Sequence, residues 1–140
     1  MKIICIGRNY ADHAKEMKAE VPSAPVFFMK PDTAILRDGY DFYFPDFTKD
    51  LHYECELVVR IDKVGKNISE KFAHKYYSDV TLGIDFTARD LQQQCKEKGL
   101  PREIAKSFEH SAPISQQFIP VANLDLTKLT FELKKNQETV

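Results

Sequence analysis

Short apolar runs and the alternation of apolar with polar positions predict the strands of this chain. The runs Lys2 to Ile6 and Val26 to Met29 are each typical of a short buried strand. From Asp79 to Phe86 apolar and polar residues alternate, which predicts a strand with one apolar face because strand side chains change face at every residue. Four more stretches are extended or strand-like: Phe42 to Phe47, Tyr53 to Ile61, Phe118 to Val121 and Leu129 to Leu133.

Capping residues predict where the helices begin and end. Residues 9–18 begin with an asparagine that is a fair N-cap, and they are expected to form a helix. Thr87 is a good N-cap for a second helix, in which Asp90 three residues later resembles a capping box. Gly99 suits the C-cap of this second helix. A short helix is expected from Ser69 to Lys75, and a loop with one helical turn follows the second helix.

The composition is that of one ordinary domain. The chain has 140 residues, of which 43% are hydrophobic and 29% are charged. This length suits one domain with a modest core, so we predict a single β-rich α+β domain over residues 1–140. The net charge of −1 gives no electrostatic reason to expect nucleic acid or an anionic membrane as a partner.

The cysteines and the N-terminus predict the compartment. Cys5, Cys55 and Cys95 are scattered and odd in number, which suits reduced thiols better than a disulfide framework or a zinc site. The apolar run after Met1 is too short for a signal peptide, and no stretch has membrane-spanning length. We therefore expect a soluble protein of the cytoplasm.

Two carboxylates on one predicted strand form the most informative feature of the sequence. Glu54 and Glu56 lie two residues apart, so their side chains point to the same face and repel each other unless a cation lies between them. That cation is either a lysine or arginine, or a divalent metal ion. Asp85 lies on the polar face of another strand and completes a three-carboxylate set that suits Mg²⁺, Mn²⁺ or Ca²⁺. His52 shares the face of Glu54 and Glu56 and leaves open an iron or zinc site instead.

A possible general base lies on the first predicted helix. His13 and Glu16 are three residues apart and therefore share one helix face. A carboxylate beside an imidazole fixes its tautomer and raises its basicity. The same spacing also fits an ordinary surface contact between the two side chains.

Five motifs in order along the chain carry a resemblance to a known family. They are residues 7–16 (GRNYADHAKE), Lys30-Pro31, residues 52–57 (HYECEL), residues 83–92 (GIDFTARDLQ), and residues 98–108 with KGLP and AKSF. Together they resemble the fumarylacetoacetate hydrolase family, in its acylpyruvate hydrolase, oxaloacetate decarboxylase and hydroxyheptadienedioate isomerase branch. The resemblance implies a roll of mixed β-sheets with short peripheral helices, and a homodimer.

The resemblance also implies a chemistry and a set of site residues. It implies a divalent metal, usually Mg²⁺, held by Glu54, Glu56 and Asp85. It implies that His13 and Glu16 activate water and that Lys106 lies beside the metal. The positions that match substrate-binding residues are Arg8, Lys30, Arg89 and Gln92. The expected reaction is hydrolysis of a C–C bond in acylpyruvate-type β-diketo acids, and the same site could decarboxylate oxaloacetate.

The sequence departs from the family pattern at its C-terminus. Family chains continue for several strands and carry a Gly-Thr-Pro segment, which this sequence lacks. We therefore expect a domain truncated at its C-terminus. Two further hypotheses stay open beside the enzyme: a catalytically inactive interaction module, and an isomerase or decarboxylase of the hydroxyheptadienedioate type.

Overall fold

The computed structural model describes residues 1–9, 22–37 and 39–140. Its strands and helices are β1 (Ile3–Gly7), β2 (Val26–Lys30), β3 (Ile35–Leu36), β4 (Leu51–Ile61), β5 (Tyr77–Ala88), α1 (Arg89–Lys98), α2 (Glu103–Lys106), β6 (Ala112–Pro113), β7 (Ile119–Pro120), β8 (Lys134–Lys135) and β9 (Glu138–Thr139). Three 3₁₀ turns span Asp32–Ala34, Glu70–Lys75 and Val121–Asn123. Strands thus outweigh helices, and the pairing is mixed because β3 and β6 are parallel while the other pairs are antiparallel.

The long antiparallel pair of β4 and β5 is the centre of the fold. The strands stay paired from Leu51 opposite Ala88 to Arg60 opposite Asp79, with one irregularity beyond that point. Residues directly opposite each other in such a ladder point to the same face. One face is therefore apolar, and the other presents the acidic residues. This confirms the division of faces that alternation predicted for β5.

The free edge of β5 is covered by the chain that follows α2. The backbone N–H of Phe86 donates to the carbonyl of Ser111 at 3.0 Å, and Gly83 bridges to Ile114. A Cβ at Gly83 would lie 2.9 Å from Val58 Cγ2 and 3.0 Å from the carbonyl oxygen of Pro113. Glycine is therefore needed here for the close approach of this segment.

The β1–β2 pair has one face toward the centre of the fold and one exposed apolar face. Ile4 pairs with Met29 and Ile6 with Phe27, and these four side chains are 43–66% exposed. The prediction of two strands is confirmed, but the expectation that both are buried is wrong. On the other face the last residue of β2, Lys30, is only 2% exposed.

Several sequence-based boundaries are also wrong. The stretch Phe42 to Phe47 forms no strand; instead Phe42 stacks on Phe86 with ring centroids 4.1 Å apart. Leu129 to Leu133 is not a strand either, and the last hairpin, β8–β9, forms after it. The turn of that hairpin has two residues with positive φ, Asn136 and Gln137, as a two-residue hairpin loop requires.

The N-terminal cap of α1 differs from the predicted one, whereas its C-terminus is confirmed. Strand β5 continues through Thr87, and Ala88 is the N-cap without a side-chain hydrogen bond. Asp90 does not close a capping box on Thr87 but accepts a hydrogen bond from Thr48 Oγ1 at 2.5 Å. Gly99 is the C-cap with φ of 63°. In the described part of the chain, no helix is long and apolar enough to cross a membrane.

Candidate functional site

Glu54 and Asp85 lie directly opposite each other on β4 and β5. Glu56 is two residues further along β4, opposite Gly83, so all three carboxylates share one face of the ladder. Asp85 is buried, with 7% of its surface exposed. Like charges in directly opposite positions destabilise a sheet, so the fold has to supply a cation here.

Lys106 supplies that cation from the end of the short helix α2. Its Nζ lies 2.5 Å from Asp85 Oδ2 and 2.9 Å from Glu54 Oε2, and the side chain is 7% exposed. The ammonium also lies 5.1 Å from the ring centroid of Phe28, on the inward face of β2. Lys106 thus bridges the two opposed carboxylates.

A second buried lysine holds the site from the opposite side. Lys30 Nζ lies 2.9 Å from Asp85 Oδ1 and donates to Ser111, at 3.0 Å from both its carbonyl oxygen and its Oγ. It also donates to the carbonyl oxygens of Phe86, at 3.3 Å, and Lys106. These acceptors come from three segments of the chain, so the Lys30 ammonium fastens β2 to β5 and to both ends of the loop after α2.

Arg89, the first residue of α1, extends the site on the side of Glu54. One guanidinium nitrogen donates to Glu54 Oε1 at 2.9 Å, and the other donates to Gln92 Oε1 at 2.7 Å. The third nitrogen, Nε, is buried and has no hydrogen-bond partner among the described residues. Arg89 therefore retains one buried donor for a further acceptor.

These contacts form one continuous set, which we call the site network. Its members, in order of contact, are Gln92, Arg89, Glu54, Lys106, Asp85 and Lys30. The resemblance had predicted a site role for every one of them, and the structure joins residues that lie up to 76 positions apart. Because these roles depend on a ligand, they stay predictions.

Burial and ion pairing act in opposite directions on the charged groups of the network. Burial would raise the pKa of Glu54, but Lys106 and Arg89 outweigh it and hold that pKa below its usual range. Burial lowers the pKa of Lys30, and the neighbouring Asp85 offsets only part of the effect. Glu54 is thus kept charged by its cationic neighbours.

The three carboxylates fit a hard divalent ion in their donor chemistry and in their common face. They offer only oxygen ligands. Asp85 Oδ1 is buried and receives no well-directed hydrogen bond, although Lys30 Nζ lies nearby. Among the described residues, however, no group of three or more acidic, histidine or cysteine side chains is arranged to hold an ion. The ammonium of Lys106 lies between two of the carboxylates instead.

The remaining predicted residues lie outside the network. His13 and Glu16 fall outside the described residues, so the proposed dyad stays a prediction. Arg8 is exposed, at the end of β1, with a positive φ of 56°. His52 shares the acidic face, but its Nε2 lies 3.0 Å from Asp50 Oδ1, at an exposed position.

Sequence reasoning missed two residues that support the site. Ser111 is fully buried; its Oγ accepts from Lys30 and donates to the carbonyl of Lys106 at 2.9 Å. Cys5 lies opposite Phe28 on the inward face of β1, where burial and then Asp85 raise the pKa of its thiol to about 11. Strand β1 is an uninterrupted apolar run, so its sequence does not indicate which face Cys5 is on, and no sequence signal singled out Ser111.

Comparison with known proteins gives consistent results. Residues 2–140 match the family described as fumarylacetoacetate (FAA) hydrolase C-terminal. The mitochondrial oxaloacetate tautomerase FAHD1 of Bos taurus is 45% identical over 137 residues, covering 97% of this chain and 62% of that protein. The mitochondrial oxaloacetate decarboxylase of Dictyostelium discoideum is 44% identical over 120 residues, covering 85% of this chain and 55% of that protein.

A solved structure supports the same relationship. The fumarylpyruvate hydrolase from Pseudomonas aeruginosa, crystallised with Mn²⁺ and pyruvate, superimposes with a TM-score of 0.79 and 38% identity. The match covers 87% of this chain and 54% of that chain. This confirms the predicted fold class, and the chain spans little more than half the length of the proteins that it resembles.

Proposed function

The chain belongs to the fumarylacetoacetate hydrolase family, and we propose that it is a divalent-metal-dependent enzyme acting on small α-keto acids. The observation that carries this proposal is the site network, in which candidate metal ligands and candidate substrate-binding cations contact one another in an unbroken series. A divalent ion bound by Glu54, Glu56 and Asp85 would supply Lewis-acid polarisation of the substrate's keto group.

The proposed main reaction is hydrolysis of the C–C bond of an acylpyruvate. The proposed second activity is decarboxylation or tautomerisation of oxaloacetate, which is favoured by the names of the Bos taurus and Dictyostelium discoideum relatives. Both substrate types carry a carboxylate next to a ketone and develop negative charge on that ketone oxygen. One cationic site can therefore serve both.

The chain's own residues would bind and orient this substrate. Arg89 has a buried Nε–H without a partner among the described residues, and a substrate carboxylate is a suitable acceptor for it. Gln92 fixes the guanidinium plane through its 2.7 Å hydrogen bond. Lys106 would place positive charge near the developing oxyanion. His13, oriented by Glu16, is proposed to accept the proton of the attacking water.

Other properties also stay predictions. These are the preference for Mg²⁺ over Mn²⁺ or Ca²⁺, the homodimer and the cytoplasmic location. Mn²⁺ is the ion in the Pseudomonas aeruginosa complex, and both named relatives are mitochondrial. For these reasons the first assays should include Mn²⁺ beside Mg²⁺.

The test measures turnover of acetylpyruvate and oxaloacetate by the full chain, with Mn²⁺, with Mg²⁺ and after chelation. Glu54→Gln and Glu56→Gln remove one charge each from the candidate ligands. Glu97→Gln makes the same change on the exposed side of α1 and is the matched control. We expect chelation and each ligand variant to lower kcat/KM at least about 100-fold, as loss of a transition-state charge stabiliser does, and the control to retain activity.

Two results would contradict the proposal. One is turnover that survives chelation unchanged, which would show that the reaction does not require a metal ion. The other is full activity of both the Glu54→Gln and the Glu56→Gln variant, which would show that neither carboxylate is needed for the reaction. Absence of turnover in every preparation, with intact folding by circular dichroism, would favour the inactive interaction module.

A further inference from the structure

Two lysines reach the carboxylate cluster, and their contacts differ in kind. We infer that Lys106 is an internal counter-ion whose ammonium a divalent ion must displace from between Glu54 and Asp85, whereas Lys30 is a fixed positioning residue that stays. This inference rests on the proposed function, because it presumes that a divalent ion binds at these carboxylates.

The first argument is spatial. Lys106 Nζ lies within 2.9 Å of one oxygen of Glu54 and within 2.5 Å of one oxygen of Asp85. Mg²⁺ takes its oxygen ligands at about 2.0–2.1 Å. An ion bound by both of these oxygens would occupy the space that the ammonium now fills. Two cations cannot share this buried position, so ion binding and the present position of Lys106 exclude each other.

The second argument concerns which lysine can leave. Among the described residues, the hydrogen-bond acceptors of the Lys106 ammonium are the two side-chain carboxylates alone. A divalent ion would satisfy both carboxylates in its place. Lys30 donates mainly to groups that an ion could not take over, the carbonyls of Phe86, Lys106 and Ser111. Loss of Lys30 would remove a charged donor from each of these buried carbonyls, so it is held in place.

The third argument is that Lys106 can move without unfolding its surroundings. Its backbone is anchored separately, since its carbonyl oxygen accepts from Lys30 Nζ and from Ser111 Oγ. The ammonium is at the end of a flexible four-carbon chain. The side chain can therefore change its rotamer while α2 stays where it is.

The fourth argument is charge balance. Among the described residues, the cluster contains three cationic side chains and three carboxylates, which are Lys30, Arg89, Lys106, Glu54, Glu56 and Asp85. The formal charges cancel without any ion. A divalent ion adds two positive charges, and the displaced ammonium of Lys106 moves to the substrate side of the cluster, where it can still face the developing oxyanion. The resulting net positive charge would suit an anionic substrate.

The test measures Mn²⁺ affinity rather than activity. Mn²⁺ is titrated by calorimetry into the wild-type chain and three variants, and the free ion is followed by electron paramagnetic resonance. Lys106→Met removes the ammonium and keeps the length of the side chain. Lys106→Arg keeps the charge. Lys98→Met makes the same change on the exposed end of α1.

We expect Lys106→Met to bind Mn²⁺ at least 10-fold more tightly than the wild type, because no internal cation has to be displaced. Lys106→Arg should bind no more tightly, and Lys98→Met should match the wild type. Equal or weaker binding by Lys106→Met, with measurable binding by the wild type, would overturn the inference and leave the proposed metal dependence standing. No Mn²⁺ binding by any of the four proteins would overturn both.

A second measurement needs no apolar substitution, in case Lys106→Met does not fold. The ammonium groups of ¹⁵N-lysine are observed by nuclear magnetic resonance in the wild type, with Lys106 assigned through Lys106→Arg. Addition of Mg²⁺ to saturation should shift or remove the Lys106 signal and leave that of Lys30 in place. Saturation that leaves the Lys106 signal unchanged would contradict displacement.

Discussion

Replacement of Lys30 by methionine tests whether the buried ammonium holds the site together. Methionine has a similar length and no charge, so it fills the same space without donating hydrogen bonds. The substitution leaves Asp85 with one cationic partner fewer, and it removes one donor from each of the carbonyls of Phe86 and Ser111. Lys30 is 2% exposed, so water cannot replace these contacts without local opening.

The expected loss of stability is large. Removing one partner of a buried ion pair costs about 3–5 kcal/mol where the other charge is left uncompensated. Asp85 keeps Lys106 as a partner, which places the result toward the lower end of this range. The unfolding entropy is about 2.1 cal/mol/K per residue, so for 140 residues this loss lowers Tm by about 10–17 °C. Burial of the ammonium lowers the pKa of Lys30, which means that its desolvation costs free energy in the wild type. The variant does not have this cost, so the expected loss of stability lies toward the lower end of the range.

Thermal unfolding followed by far-ultraviolet circular dichroism measures this loss, and urea unfolding gives the free energy independently. Lys98→Met is the control, because its exposed side chain should change the unfolding free energy by less than about 0.5 kcal/mol. A Lys30→Met chain within 1 kcal/mol of the wild type would refute the reasoning, since the buried acceptors would then not depend on Lys30.

Two further predictions concern positions outside the network. The hydrogen bond from Thr48 holds the pKa of Asp90 in the folded protein below its ordinary value of 3.8. The charged carboxylate therefore stabilises the fold fully above pH 3.8, and this stabilisation is lost as the pH falls through the lower pKa of the folded state. Urea midpoints of the wild type and Asp90→Asn should therefore differ at pH 6 and converge near pH 2. Gly83→Ala should lower the unfolding free energy by about 1–3 kcal/mol, because the new Cβ would be too close to Val58 and to the carbonyl oxygen of Pro113. The double variant with Val58→Ala should recover only part of this loss, because the contact with Pro113 remains. Thermal unfolding measures both variants.

Local periodicity predicted the acidic face because the face of a strand residue depends only on its position in the strand. Glu54, Glu56 and Asp85 share a face for this reason, and the register that puts Glu54 opposite Asp85 follows once the two strands pair. What periodicity could not provide is the approach of Lys30 and Lys106, which come from β2 and α2. Their positions depend on tertiary packing.

The same distinction explains the errors. An alternating pattern such as Leu129 to Leu133 predicts a strand only if a partner strand is available, and none pairs with it among the described residues. The apolar run of β2 predicted burial, yet Phe27 and Met29 are exposed because nothing in the described chain covers that face. Thr87 was expected to cap α1, but pairing with His52 keeps it in β5. In each case a longer-range contact, or the lack of one, decided the outcome.

The cations of the site show why a list of matching residues does not by itself give their roles. The resemblance gave Lys30 and Arg89 the same role, substrate binding, and gave Lys106 a place beside the metal. In the structure the ammonium of Lys30 faces protein acceptors, and Arg89 keeps a buried donor without a partner among the described residues. Among the same residues, the ammonium of Lys106 donates hydrogen bonds only to carboxylates. Substrate contact therefore fits Arg89 best, structural support fits Lys30, and exchange with a divalent ion fits Lys106. Three positive charges at one site can thus have separate roles, because each has a different set of acceptors.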